Sequence, residues 1–370
     1  MAAWGAAALV AALLLAGCRE QQVREPGFVP EPRVEQGAPR PYLLGFSTLP
    51  AELSDESQLA AFDLAARYGE LLLIQRAPAW ADFLPEVEPS AALADVMVRE
   101  RTAVEERGLR LLYALDPFDP ADRGRLAATP PGYERADLGH PDLRAAFVAE
   151  ARFIAANYEP QYLAVGIEIN ATFERSPAQY GAFVAAYREA YDAVKEISPG
   201  TLVFATFQYE QLLGVVPWEP ARPPRWELLD DFAGRLDLFA LATFPSVTYE
   251  VARALPPLYY RQIRDHTTLP IAFAAVGYSS ARGRDGLNSA TAAEQRRFLQ
   301  RLLSDAEAMR APFVVWFASR DPAFAVDRPY DLLASIGLRD AADRPKESWT
   351  VWAETSTRPY APRSDEVGVP

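Results

Sequence analysis

The residues best placed to do chemistry are Glu168 and Asn170, which close the stretch Gln161-Tyr-Leu-Ala-Val-Gly-Ile-Glu-Ile-Asn170. The run before them is nearly all apolar, the pattern of a strand covered on both faces. A carboxylate emerging from such a strand is costly to bury unpaired, so Glu168 needs a partner, a wet cleft or a function. On a strand, residues i and i+2 share a face, so Glu168 and Asn170 are placed to address one ligand. A carboxyl with a proton affinity raised toward neutrality is suited to general acid or base work.

The elements that must position this pair follow a regular alternation. Strand patterns at Tyr42–Phe46, Glu70–Gln75, Leu109–Leu115, 161–167, Thr201–Phe207, Leu236–Thr243, Pro270–Val276 and Pro312–Phe317 are each followed by helical material. Helix patterns cover Ser54–Tyr68, Ser90–Arg107, Pro141–Tyr158, Pro177–Ile197 and Thr291–Met309, with shorter pieces near Trp226–Phe232, Pro257–Asp265, Tyr330–Ser335 and Glu347–Glu354. Such alternation predicts an α/β parallel sheet, and eight units match a (β/α)₈ TIM barrel better than an open doubly wound sheet. No Gly-x-Gly-x-x-Gly or Walker loop follows any strand, which argues against a nucleotide site.

In a barrel the strand exits converge on one mouth. That mouth is expected to collect Arg76, Trp80, Asp116, Glu168, Asn170, Gln208, Glu210, Tyr278, Arg320 and Asp321. Carboxylates among aromatics suit carbohydrate, because sugar faces stack on rings while hydroxyls bond to acids, amides and arginines. Glycoside hydrolysis requires two carboxyls across the scissile bond, about 5–5.5 Å apart for a retaining enzyme and roughly 6.5–9.5 Å for an inverting one. Three readings follow: a barrel that binds sugar without retaining cleavage, a hydrolase in which Glu210 or Asp321 partners Glu168, or a scaffold with Glu168 locked to Arg76 or Arg320.

Residues 42–355 resemble the clan of (β/α)₈ glycoside hydrolases that includes the cellulase-like and endo-galactanase families. In that clan an acid/base Glu ends strand four, usually after Asn; Val165-Gly-Ile-Glu168-Ile-Asn170 resembles the motif with Ile167 in the place of Asn. The resemblance implies a nucleophilic Glu at the end of strand seven, where this chain reads Phe273-Ala-Ala275-Val-Gly277-Tyr278 and carries Ala275. Val314-Val-Trp316-Phe317 and Arg344-Pro-Lys-Glu-Ser-Trp349 also resemble the clan's last strand and closing segment, with Trp316 near the usual sugar platform. The implied activity is O-glycosyl hydrolysis if the site is active; the alternative is a non-catalytic carbohydrate-binding or scaffold protein.

Composition narrows the partners. The 370-residue chain has 37 basic and 50 acidic residues and a net charge of −13, which disfavours nucleic acid. One cysteine, Cys18, and two histidines, His140 and His266, exclude a disulfide and a Cys/His metal centre, and no cofactor is expected. His140 precedes Pro141 and a helix start, where a capping position is expected. Residues 1–18 read as a signal peptide ending in Leu15-Ala-Gly-Cys18, which resembles the lipobox of bacterial lipoproteins and implies a lipid on Cys18. Residues 19–41 read as a proline-rich tether and 356–370 as a flexible tail. The expected setting is the bacterial cell envelope, lipid-anchored and facing the periplasm or exterior, with a poly- or oligosaccharide as partner.

Overall fold

Parallel strands buried on both faces form the centre of this protein, as seen in a computed structural model that describes residues 28–29, 33–283, 288–327 and 330–362. The inner strands are β1 (Leu43–Ser47), β2 (Leu71–Arg76), β3 (Arg110–Leu115), β6 (Tyr162–Val165), β7 (Leu202–Phe204), β8 (Thr206–Gln208), β9 (Phe239–Thr243), β10 (Ile271–Val276) and β11 (Phe313–Trp316). A short antiparallel ribbon, β4 (Phe118–Asp119) with β5 (Asp122–Leu126), rises from the exit of β3.

The parallel sheet runs β7-β6-β3-β2-β1-β11-β10-β9-β8. Its two edge members are halves of one strand interrupted at Ala205: β7 pairs with β6, and β8 pairs with β9. Counted that way the sheet closes on itself with eight strands, the expected (β/α)₈ barrel. The strand residues are almost all buried, because side chains alternate between the barrel interior and the helical layer and neither face meets water.

Helix starts follow local chemistry. Ser54 accepts Ser57 N at 3.2 Å, Ser90 accepts Leu93 N at 3.2 Å, and Thr291 accepts Glu294 N at 3.2 Å, each satisfying an orphan N–H of a first turn. His140 caps Pro141–Tyr158 through Nδ1, which accepts Asp142 N at 3.3 Å. The helices expected near Trp226 and Pro257 are 3₁₀ turns, Trp226–Phe232 and Arg261–Asp265. Proline-rich approaches (Pro217, Pro220, Pro223, Pro224; Pro256, Pro257) leave little chain free for α-helical turns there.

The base of the barrel is strapped by residues upstream of β1. Glu70 accepts Arg33 Nη1 at 2.8 Å and Arg40 Nη2 at 2.6 Å while also accepting Leu44 N at 3.1 Å. Gln36 N and Arg40 N donate to the carbonyls of Thr357 and Pro359, at 2.8 and 2.9 Å. Residues 33–41 and 356–362 therefore pack against each other and the base. Cys18 and the rest of the expected signal peptide lie outside the described residues.

Candidate functional site

Glu168 leaves β6 through a tight turn. Gly166 has φ 101° and Glu168 has φ 48°, ψ 43°, a left-handed conformation that costs about 1–3 kcal/mol for a residue with a side chain. A Cβ on Gly166 would collide with the Phe183 ring, so glycine is required there. The turn is pinned at several backbone groups: Gly166 N donates to Leu115 O (2.8 Å), Thr206 N to Gly166 O (3.1 Å), and Glu168 N to Thr206 Oγ1 (2.9 Å). The Arg123 guanidinium donates to Ile167 O. A short helix, Ile169–Arg175, starts directly after it.

The Glu168 side chain is half-buried, and among the described residues no hydrogen bond or ion pair reaches its carboxyl. Burial pushes its pKa up to about 7; the Arg123 charge pulls it down, and Asp116 and Glu210 push it up. The expected ion pair with Arg76 or Arg320 is not formed. Arg76 bonds Glu100, which also accepts Tyr158 OH at 2.7 Å, and Arg320 Nη2 donates to Ser57 O at 3.0 Å.

Asp116, at the exit of β3, is consumed by Arg123 from the ribbon: Nη1 reaches Oδ2 at 2.6 Å and Nη2 reaches Oδ1 at 3.1 Å. Glu210, just past β8, has 0 % exposure and four donors. Gln208 Nε2 (2.7 Å) and Phe244 N (3.1 Å) bond one oxygen; Thr243 Oγ1 (2.6 Å) and Tyr259 OH (2.8 Å) bond the other. A carboxyl so enclosed has no oxygen left to attack a sugar or activate water. Asp321 is held through one oxygen: Oδ1 accepts both Lys346 Nζ at 2.7 Å and Gly337 N at 2.9 Å.

The remaining expected binding residues point elsewhere. Asn170 is bound on both ends to the backbone of Gln208, and the Gln208 amide is spent on Glu210 and Gln211 N. Trp80, expected to be exposed, is 1 % exposed, with its indole N–H bonded to Ala127 O at 2.7 Å. Trp316 is buried with its N–H on Ile336 O at 2.8 Å, and Tyr278 is buried against Phe298 with ring centroids 4.9 Å apart. An aromatic next to a strand exit turns inward when a neighbouring loop offers it a carbonyl or a helix offers it a ring, and sequence position alone does not reveal that offer.

What remains open at the mouth is largely apolar. Ala275 is the one half-buried residue of β10, and the exits on either side of β10 carry half-buried Phe244 and Phe317. Their rings meet edge to face, with centroids 6.0 Å apart at 88°. Gly277 makes room for this pair, since a Cβ there would lie 2.8 Å from the Phe244 ring. Sequence reading missed Phe244, Phe317, Thr206, Thr243, Tyr259 and Arg123. Phe244 directly follows a predicted strand and Phe317 ends one, a signal that was available. Arg123 was not legible without the ribbon that folds it back over Asp116.

No family model matches the sequence, and no curated protein matches it. Solved structures do resemble the fold. An exo-β-1,4-mannosidase, Op5Man5 from Opitutaceae bacterium strain TAV5, superposes with a TM-score of 0.63 at 19 % identity, covering 85 % of this chain and 58 % of that one. A GH5_18 protein from Bifidobacterium longum subsp. longum, crystallised with Manb1-4GlcNAc, gives 0.60 at 15 % identity over 87 % of this chain and 80 % of that one. Xylanase 10B from Thermotoga maritima gives 0.58 at 12 % identity over 85 % and 94 %. This chain thus shares the (β/α)₈ barrel fold of these structures, and it spans just over half the length of the mannosidase.

Proposed function

We propose that this protein is a carbohydrate-recognising, glycoside-hydrolase-like barrel of the bacterial cell envelope, with Glu168 as the polar centre of its mouth. One observation carries the reading: among the described residues no partner reaches the Glu168 carboxyl at the end of strand four, while strand seven carries half-buried Ala275 and the neighbouring exits carry Phe244 and Phe317. An alanine cannot attack an anomeric carbon, which argues against a retaining route through this position. With a pKa near 7, the Glu168 carboxyl is largely protonated below neutrality and donates a hydrogen bond to a sugar or glycosidic oxygen. The apolar floor accepts the C–H face of a sugar ring.

Inverting hydrolysis is the second reading, with Glu168 as acid and water activated by another carboxylate. The enclosure of Glu210 and the Lys346 pairing of Asp321 favour recognition over that route. The envelope setting follows from the lipobox-like Cys18.

A screen of poly- and oligosaccharides for binding and for product release, with wild type and Glu168→Gln, tests the proposal. Binding without cleavage in wild type, weakened by Glu168→Gln, is the expected result. Cleavage abolished by Glu168→Gln would favour the hydrolase reading, and no glycan bound at all would sink the proposal.

A further inference from the structure

We infer that Arg123 is the positioning residue of this site: it clamps the left-handed turn that carries Glu168 and supplies the positive charge against which that carboxyl exchanges its proton. The placement is built from two directions. The ribbon β4–β5 brings Arg123 back over the exit of β3, where its two terminal nitrogens hold Asp116 in a forked pair at 2.6 and 3.1 Å. One of those nitrogens also donates to the carbonyl of Ile167, the residue immediately before Glu168. The guanidinium lies 5.4 Å from the Phe118 ring centroid, which fixes its plane from the same ribbon.

A planar fork is needed for this, since a lysine ammonium has no geometry for two carboxylate oxygens and a carbonyl at once. Arg123 is 9 % exposed, and its Nε is buried with no hydrogen-bond partner among the described residues. The cation acting most strongly on Glu168 therefore keeps one N–H unspent. The charged groups acting on Glu168 come from three elements: Arg123 from the ribbon, Asp116 from the exit of β3, and Glu210 from beyond β8. Arg123 opposes ionisation loss, and the two acids oppose ionisation. The functional meaning of the clamp rests on the carbohydrate reading above, whereas its geometry and its titration do not.

The test uses the full chain with ¹³C at the glutamate carboxyls, the Glu168 signal being assigned by its absence from Glu168→Gln. Arg123→Met removes the cation and is expected to raise the Glu168 midpoint by about one pH unit or more. Asp116→Asn removes the anion and leaves Arg123 in place, so the midpoint should fall. Opposite directions distinguish this arrangement from a merely structural role. No movement in either variant, or movement of both in one direction, overturns the inference. Should Arg123→Met fail to fold, Arg123→Lys keeps the charge and loses the fork. Amide exchange across Gly166–Ala171 is then expected to quicken, and unchanged protection overturns the clamp. A negative glycan screen would end the proposed function and leave these titrations standing.

Discussion

Asn170 grips Gln208 by both ends of its amide: Nδ2 donates to the Gln208 carbonyl at 2.9 Å and Oδ1 accepts the Gln208 N–H at 2.8 Å. The helix that starts at Ile169 is thereby stitched to the strand-five exit. Both residues are buried, so removing the amide leaves the Gln208 N–H and C=O without their protein partner. Asn170→Ala should destabilise the fold by about 2–4 kcal/mol, two unsatisfied backbone groups at roughly 1–2 each, read by chemical denaturation. A loss of ligand binding at unchanged stability would instead mean that Asn170 addresses the ligand directly.

Glu168 gives the stability a pH dependence with a definite sign. Its folded pKa, about 7, lies above the ordinary value of 4.5. Between those values the folded state holds a proton that the unfolded state has lost, so this group's contribution falls as pH rises from about 4.5 to about 7 and is flat beyond. Glu150, raised by burial to about 8, adds a slope of the same sign. Denaturation of wild type and Glu168→Gln at several pH values should show the two curves diverging across that window, the variant being relatively more stable at pH 8. Parallel curves would show that Glu168 titrates normally.

Glu210 is expected to behave as a structural group. Glu210→Ala leaves Gln208, Thr243, Phe244 N and Tyr259 without their common acceptor. A loss of about 3–5 kcal/mol is expected, since each neutral donor left buried and unsatisfied costs roughly 1–3 kcal/mol and relief of the buried carboxylate offsets part of the sum. A folded, fully stable Glu210→Ala protein that loses a glycan-cleaving activity would restore Glu210 to a catalytic role.

The position of Ala275 allows a gain-of-function measurement. It is half-buried at the mouth, so a longer side chain has an outlet there. Ala275→Glu should become covalently labelled by a mechanism-based glycosyl inhibitor matched to the sugar found in the screen, with wild type unlabelled, as read by intact mass. Labelling of wild type would reveal another nucleophile.

Anchoring is checked separately from sugar binding. Cys18→Ser should shift the protein from the membrane to the soluble fraction of the producing cell, with glycan binding unchanged. Retention in the membrane would mean that the apolar N-terminal run, rather than a lipid, holds it.

Much of this architecture is written locally. Strands buried on both faces must be apolar runs, and helices need Ser, Thr or Pro at their starts, so eight units and their order were legible before any coordinates. Glu168 at the fourth exit and alanine at position 275 were legible for the same reason, since strand ends are marked by the change from apolar to polar residues. Which polar groups stay free was decided only in three dimensions. Glu210 meets Tyr259, Asp321 meets Lys346, and Arg76 meets Glu100 across 49, 25 and 24 residues of chain. A hydrogen bond is satisfied by distance and angle between groups, and sequence separation records neither. Closure of the barrel consumed most of the expected site and left Glu168, beside Arg123, as its unpaired carboxyl.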